Sequence, residues 1–335
     1  MRSSRATLAD VLATDNLARA TWRAARGKHD RPEVAAYLSR CEAEWDALRA
    51  GIHDASFALG DFVRFVIRDP KLRVIHAPRF RVRVLHHALV HVIGPVLDRQ
   101  LVDHSYACRV GKGTLRAVRR VQHLLLRQPW YVKIDVRRYF DSIDHAVLIP
   151  FLHRRFRDAG LRDLLTRIVQ CHSVEPGHGL PIGALTSQHF ANAYLGQLDR
   201  FLLEELRVRG MVRYMDDVVW FCGDRASAHD SLARARDWLR ERLHLEVKPN
   251  ARVQRSAHGV GYCGFRVLRG ALLLSPRRRR RFAAACRAAL AGWRDGEVSE
   301  AGLQTLGTAA VAITAHAHAR GWRRAWLQQQ RDVEY

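Results

Sequence analysis

The amino-acid sequence predicts a mixed α+β fold in which carboxylates lie on a central sheet. First, residues Tyr131 to Val136 alternate as a strand does, with Val132, Ile134 and Val136 on one face and Tyr131, Lys133 and Asp135 on the other. Second, Tyr214-Met215-Asp216-Asp217 lies between two short apolar stretches, which is the pattern of a β-hairpin with two carboxylates at its tip. Apolar residues at helical spacing account for most of the remaining chain.

Before the alternating strand, the sequence predicts three helices and one strand-like segment. An amphipathic helix is expected over residues 33–50, a basic strand-like segment over 62–76, and a helix over 82–97. A further helix is expected over 114–126, with Thr114 as its N-cap.

After that strand, the same reasoning predicts alternating helices and short connections. In chain order, these are a helix over 145–157, a loop over 175–183, a helix over 186–207, the carboxylate hairpin, a helix over 227–243, short strands over 245–274, and a basic helical segment from Arg277 onward.

Net charge is the unusual feature of the composition. The 335 residues include 56 Lys and Arg against 33 Asp and Glu, which gives a net charge of +23. This excess favours a polyanionic partner, nucleic acid before a membrane, because basic side chains displace the counterions condensed on phosphates. Arg strongly outnumbers Lys, so part of the charge is also consistent with an Arg-rich composition.

The cysteines and the apolar runs indicate a cytoplasmic protein without a membrane partner. No CxxC pair occurs, so neither a disulfide framework nor a zinc module is expected. The first residues lack the apolar core of a signal peptide, and no apolar run approaches the length of a membrane span. The six cysteines are widely scattered, at Cys41, Cys108, Cys171, Cys222, Cys263 and Cys286.

Asp135, Asp216 and Asp217 are the candidate catalytic residues. Carboxylates on neighbouring strands can hold two Mg²⁺ ions, of which one activates an attacking hydroxyl and the other steadies a leaving pyrophosphate. We expect Asp135 and Asp216 to be direct ligands and Asp217 to support them. Taken singly, each is also explained as a strand end or a turn residue.

These residues resemble the conserved boxes of reverse transcriptases. The segment 214–217 resembles the YxDD box, and Asp135 followed five residues later by Phe140 resembles the first catalytic box. In the same order, residues 71–73 and 79–83 match the basic fingers segment, 180–188 the box before YxDD, and 261–265 the primer grip. The resemblance runs from about residue 60 to 270.

One variant box resembles the enzymes of diversity-generating retroelements. Where many reverse transcriptases have Gln-Gly and Ser-Pro, this chain has Ile182-Gly183 and Ser187-Gln188, together with the upstream segments 105–109 and 111–114. The resemblance implies copying of an RNA template, misincorporation opposite adenines, and a small basic accessory protein. Because Ile182 offers no hydrogen bond to the incoming nucleotide, we expect low fidelity.

The resemblance also implies the nucleotide-binding residues. Phe140 would be the steric gate that excludes a ribose 2′-hydroxyl, although position alone is equally consistent with a core aromatic. Lys71 and Arg73 would contact the triphosphate, since Arg binds phosphate in a bidentate way; the alternative is a solvated basic strand.

Three further residues complete the predicted nucleotide site. Gly183 would let the backbone approach the nucleotide closely. Gln188 would lie near the template base, and Lys248 near the leaving pyrophosphate.

Template–primer contacts are expected from two segments. Tyr262 and Gly264 belong to the segment that resembles the primer grip. Arg277, Arg278 and Arg281 begin an amphipathic helix whose basic start suits a duplex-gripping thumb, although such a run is often only a solvated face.

The resemblance implies a right-hand polymerase with an N-terminal helical extension (1–54), fingers and palm (55–275) and a basic helical thumb (276–335). Its substrates would be an RNA template, a DNA or RNA primer and dNTPs, and we expect no room for RNase H, integrase or endonuclease domains. Two alternatives remain: an antiphage-defence or group II intron-like reverse transcriptase, and an RNA-binding maturation factor that does not need its activity.

Overall fold

A four-stranded antiparallel sheet forms the centre of the computed structural model, which describes residues 4–68 and 72–331. In chain order its strands are β3 (Trp130–Asp135), β4 (Gly210–Tyr214), β5 (Asp217–Cys222) and β6 (Arg252–Arg255). In space the order is β4-β5-β3-β6. The predicted mixed α+β class is confirmed.

Both faces of this sheet are buried, which explains the unbroken apolar run in β5. Val218 and Trp220 pack into the larger core, together with Val132 and Ile134 of β3. Val219 and its neighbour Phe221 point to the opposite face and enter a second core. The alternation of side chains along a strand therefore requires apolar residues at every position of β5 after Asp217.

Helices cover one face of the sheet, and a helix with a small sheet covers the other. The larger core includes α9 (Leu185–Arg200) and α10 (Arg225–Leu243). The second core is closed by α6 (Thr114–Arg127) and by a three-stranded antiparallel sheet. The strands of that small sheet are β7 (Val260–Tyr262), β8 (Phe265–Val267) and β9 (Leu272–Leu274).

The expected strand over 62–76 is an antiparallel hairpin of two strands, β1 (Phe62–Arg68) and β2 (Leu72–Pro78). In its register Arg64 lies opposite His76. Lys71 lies outside the described residues.

Helices precede and follow this hairpin. The expected helix over 33–50 is interrupted at Ser39 and Arg40, because the Ser39 hydroxyl donates to the Ala36 carbonyl and Arg40 leaves helical geometry. The helices of this part of the chain are α1 (Leu8–Leu12), α2 (Thr14–Ala25), α3 (Pro32–Leu38), α4 (Cys41–His53) and α5 (Phe80–Asp98).

Two further local predictions about helices were wrong. The N-cap of α6 is Gly113, with φ +100°, and Thr114 is already helical. The predicted helix over 145–157 ends early, and a second helix that the sequence reasoning missed follows it; the two are α7 (His145–His153) and α8 (Ala159–Gln170).

The C-terminal part is helical, as expected from its spacing of apolar residues. It comprises α11 (Pro276–Arg294), α12 (Glu300–Ile313) and α13 (Arg320–Arg331). Across the described ranges, no helix is both long and apolar enough to cross a membrane.

Candidate active site

The sheet register brings the three candidate carboxylates to one end of β3 and β5. Asp135 closes β3 and is paired with Asp217, the first residue of β5. Asp217 is also paired with Tyr214, so Met215 and Asp216 form the tip of the β4–β5 hairpin. Met215 takes the left-handed conformation, with φ +58°, that closes this tight turn.

Two lysines neutralise two of these carboxylates. Lys133 Nζ lies 3.1 Å from Asp217 Oδ1 and donates to the Gly261 carbonyl at 2.7 Å. Lys248 forms an ion pair with Asp135, and its backbone N–H donates to the Asp135 carbonyl at 2.9 Å. Within the described residues, the Asp216 carboxylate has no such partner.

Burial disfavours the charged forms of two of these carboxylates. Burial and the charge of Asp135 together raise the pKa of Asp216. Burial raises the pKa of Asp217 to about 6, although Lys133 opposes the shift. One oxygen of Asp217, Oδ1, is buried and has the Lys133 ammonium 3.1 Å away but accepts no hydrogen bond from the described residues, since Lys133 donates to Oδ2. Each observation is what a carboxylate site shows when positive charge would stabilise it.

The donor set suits a cation that needs few protein ligands. Over the described ranges, no three His, Cys, Asp or Glu side chains are gathered closely enough to enclose a metal ion. Mg²⁺ is commonly held by one or two carboxylates, with water and substrate phosphates completing its shell. Asp135 and Asp216 meet that lesser requirement, so the residues fit Mg²⁺.

A cavity of about 630 Å³ opens beside the carboxylates, and its size is in the range of small-molecule sites. It is lined by Arg73 from β2, Phe140, Ile182, Asp216 and Lys248. These residues come from distant parts of the sequence, and all were predicted to contact a nucleotide or its metal ions. The fold therefore brings them to one site.

Phe140 is held in place by the chain around it. It lies in a 3₁₀ turn, Tyr139–Ser142, directly after β3. The Phe140 carbonyl accepts from the Leu180 N–H at 2.9 Å, and the Tyr139 hydroxyl donates to the Ala191 carbonyl. Phe140 is partly exposed to the cavity rather than buried in the core.

Comparison with known proteins decides the family. Residues 68–267 match the family described as reverse transcriptase (RNA-dependent DNA polymerase), which is more than half of the chain. The chain belongs to the reverse transcriptase family. Together with the antiparallel sheet that carries the carboxylates, this membership confirms the predicted right-hand polymerase fold.

Several relatives of this reverse transcriptase match over a limited region. Protein YkfC of Escherichia coli K12 is 27% identical over 145 residues, which is 40% of this chain and 38% of that protein. The group II intron-encoded protein LtrA of Lactococcus lactis is 24% identical over 140 residues, or 40% and 23% of the two chains. This chain thus spans less than two fifths of the length of these relatives.

Among solved structures, telomerase from Candida tropicalis in complex with a fragment of telomeric RNA superposes with a TM-score of 0.48 at 12% identity. The superposition covers 85% of this chain and 58% of that one.

Gly183 follows the cavity-lining Ile182 and lies close to strand β2. Its φ is +119°, and a Cβ there would lie 2.9 Å from Ile75 Cγ2 and 3.0 Å from the His76 carbonyl oxygen. The neighbouring Ile182 carbonyl accepts from the His76 N–H at 2.8 Å. Glycine thus allows close approach of strand β2 at this position, and the expected approach to a nucleotide stays a prediction.

Gln188 and Tyr262 lie apart from the cavity lining. Gln188 is exposed on α9, where its side-chain oxygen is 3.6 Å from Cys108 Sγ. Tyr262 is only 1% exposed. Its hydroxyl donates to the carbonyls of Asp217 and Val212, at 3.1 and 3.3 Å, so its ring supports the carboxylate hairpin from beneath.

The segment expected to grip the primer contacts the start of α11. Gly264, with φ +80°, lies against the Arg278 side chain, whose guanidinium stacks 4.1 Å above the Phe265 ring centroid. Arg277 and Arg281 lie on the exposed surface of the same helix.

Sequence reasoning missed a buried ion pair beneath the carboxylate hairpin. Arg213 of β4 is fully buried and donates to both oxygens of Asp199, at 2.7 and 2.9 Å. Its other nitrogens donate to Asn192 and to the Met215 carbonyl, in the hairpin turn. An arginine within an otherwise apolar strand was the available signal, since a buried charge needs a partner.

Proposed function

We propose that this chain is an RNA-directed DNA polymerase that makes cDNA on an RNA template from a DNA or RNA primer and dNTPs. The observation that carries the proposal is the shared cavity, where Asp216 and Lys248 meet Arg73 and Phe140. A site for binding RNA alone would not require carboxylates beside a nucleotide-sized cavity. This also weighs against a maturation factor that has no use for catalysis.

Mg²⁺ ions, two in our proposal, would be held by Asp135 and Asp216 with support from Asp217, and would supply Lewis acidity to the phosphoryl transfer. Arg73 would bind the triphosphate, since its planar guanidinium matches phosphate oxygens. Lys248 would keep the Asp135 carboxylate oriented and place positive charge beside the leaving pyrophosphate. Phe140 would fill the space that a ribose 2′-hydroxyl needs.

The remaining parts of the proposal extend beyond this cavity. The fingers and palm would span residues 55–275 and the thumb 276–335, consistent with the end of α4 at His53 and the start of α11 at Pro276. Lys71 would assist Arg73, Gln188 would approach the template base, and Gly264 with the start of α11 would contact the template–primer duplex.

We further propose that this reverse transcriptase acts in a diversity-generating retroelement, with a small basic accessory protein, and that it makes errors at template adenines. Ile182 supports this, because it lines the cavity with a side chain that has no hydrogen-bonding group. The second candidate is a group II intron-like enzyme, which the similarity to LtrA favours.

Primer extension on an RNA template with Mg²⁺ and dNTPs tests the polymerase. Asp216→Asn keeps the size of the side chain but removes its charge, and we expect synthesis to fall at least about 100-fold, since a metal ion contributes several kcal/mol to such a transition state. Asp230→Asn, on the exposed surface of α10, is the matched control. Full synthesis by Asp216→Asn would refute the assignment.

Sequencing the cDNA separates the two candidates. Errors concentrated at template adenines, and reduced by Ile182→Gln, would support the retroelement role. Errors spread evenly over the four template bases would favour the group II intron-like enzyme instead.

A further inference from the structure

Two histidines line the same cavity as Phe140 and Ile182 but have no part in the proposed polymerase function. They are His76, on strand β2, and His172, directly after α8. Their ring centroids are 4.5 Å apart, with an angle of 57° between the planes. The pair therefore brings the β1–β2 hairpin into contact with the segment that follows α8.

Neighbouring residues hold the two imidazole rings in place. The Phe62 ring stands edge-on to both, at 6.4 Å from His76 and 6.3 Å from His172. The His76 N–H donates to the Ile182 carbonyl, which fixes His76 relative to the residue expected beside the nucleotide. Such support is what a binding group needs to contribute its full hydrogen bond.

The ring nitrogens of the pair are available to a ligand. Neither ring makes a hydrogen bond to another group in the described part of the chain. Burial and the nearby Arg64 lower the pKa of His76, while burial and His76 lower the pKa of His172; Asp141 opposes both shifts. At neutral pH each imidazole is therefore uncharged and presents one donor and one acceptor.

The wall around Phe140 has both apolar and polar parts. Ile182, Leu180 and Val174 line it with hydrocarbon, and the Tyr139 hydroxyl is already bonded to the Ala191 carbonyl. The polar side chains that line the cavity besides the two histidines include Arg64, Arg138, Asp141 and Ser173. In the proposed function, the nucleotide base pairs with the template and the phosphates meet the cations. The 3′-hydroxyl is then the only hydrogen-bond donor of the deoxynucleotide sugar, and it would lie next to the gate Phe140.

We propose that His76 and His172 form a subsite that hydrogen-bonds the 3′-hydroxyl of the incoming deoxynucleotide. This inference rests on the proposed polymerase function and adds a specificity determinant to it. A site that hydrogen-bonds a substrate hydroxyl rejects an analogue lacking it, because its own polar groups are then left unpaired. The pair should thus make the enzyme prefer dNTPs over 2′,3′-dideoxynucleotides.

The test is single-nucleotide incorporation on a primed RNA template that presents uridine, with dATP or 2′,3′-dideoxy-ATP as the nucleotide. We expect the wild-type enzyme to have a kcat/KM about 3- to 10-fold higher for dATP, as one or two neutral hydrogen bonds provide. His76→Leu and His172→Leu should bring this ratio close to one, mainly by raising KM for dATP. His76→Gln and His172→Gln, which keep a donor and an acceptor, should restore part of it.

The controls keep this inference separate from the polymerase proposal. His229→Leu alters an exposed histidine of α10 and should keep the wild-type ratio. If the wild-type enzyme makes cDNA but the four cavity variants retain its ratio, the subsite is refuted while the polymerase stands. If the leucine variants unfold, the glutamine variants decide alone. They should show a dATP to dideoxy-ATP ratio of kcat/KM below that of the wild-type enzyme. A wild-type ratio in a glutamine variant whose KM for dATP is raised would refute the subsite.

Discussion

Replacing Arg213 should destabilise this reverse transcriptase more than almost any other single charge substitution. The guanidinium is completely buried, holds Asp199 through two hydrogen bonds, and also donates to Asn192 and to the Met215 carbonyl. Arg213→Met keeps a similar side-chain length but removes every donor. Asp199 would then be left as an unpaired carboxylate in the core.

The expected cost follows from that unpaired charge. Removing one partner of a buried ion pair costs about 3–5 kcal/mol, a large part of the roughly 5–15 kcal/mol that stabilises a typical folded protein. Arg240 provides the contrast, because its 2.7 Å ion pair with Asp237 is largely exposed on both sides. Such a pair contributes about 0.3–0.5 kcal/mol, so Arg240→Met should have little effect.

Urea unfolding of the Arg213→Met and Arg240→Met variants measures the two losses of unfolding free energy. The double variant Arg213→Met with Asp199→Leu removes the stranded charge as well, so it should recover most of the stability lost by Arg213→Met alone. A loss of unfolding free energy below about 1 kcal/mol for Arg213→Met would refute the reasoning. So would a loss in the double variant equal to the sum of the losses in Arg213→Met and Asp199→Leu measured singly. Primer extension that stays impaired in the stable double variant would show that the bond to Met215 positions Asp216.

Three further predictions concern single residues. Gly183→Ala should lower the free energy of unfolding by about 1–3 kcal/mol, because its φ is +119° and strand β2 leaves no room for a Cβ; unchanged urea unfolding would contradict this. Burial lowers the pKa of His86 from 6.5 to about 3, so between these values only the unfolded chain binds the proton, and stability should fall by about 1.4 kcal/mol per pH unit as the pH drops below 6.5. His86→Leu should remove that contribution to the pH dependence of urea unfolding, and an identical slope would rule out His86 as its source. Lys248→Gln should lower kcat/KM for dNTP incorporation at least about 10-fold through loss of a charged hydrogen bond to Asp135, while Lys248→Arg keeps most of the activity; equal losses in the two variants would argue against a charge effect.

The sequence was sufficient for the strands of the central sheet because their pattern is local. Alternation over residues 131–136 and the paired apolar stretches around the hairpin determine which side chains share a face. The break after Leu38 was not predictable in the same way, because a helix over 33–50 satisfies the same spacing of apolar residues. There the Ser39 hydroxyl bonds to the Ala36 carbonyl and Arg40 leaves helical geometry, neither of which the pattern specifies.

The site residues divide along a similar line. Arg73, Phe140 and Ile182 were predicted from short motifs, and the fold brings them to one cavity. His76 and His172 carry no motif, because they approach each other only when the β1–β2 hairpin packs beside the end of α8. Long-range contacts of this kind produce no periodic pattern in the sequence, so the proposed 3′-hydroxyl subsite could be inferred only from the structure.

The charges around the carboxylates indicate where catalytic cations would bind. Lys133 and Lys248 form ion pairs with Asp217 and Asp135, respectively, whereas Asp216 forms no ion pair within the described residues and only feels the charges of Lys248 and Arg73, which oppose the rise of its pKa. Its pKa is raised mainly by burial and further by the charge of Asp135, so positive charge placed there would favour the charged carboxylate and relieve the repulsion. Asp216 is therefore the carboxylate whose charge most requires a metal ion, which is why Asp216→Asn is the decisive substitution for the polymerase proposal.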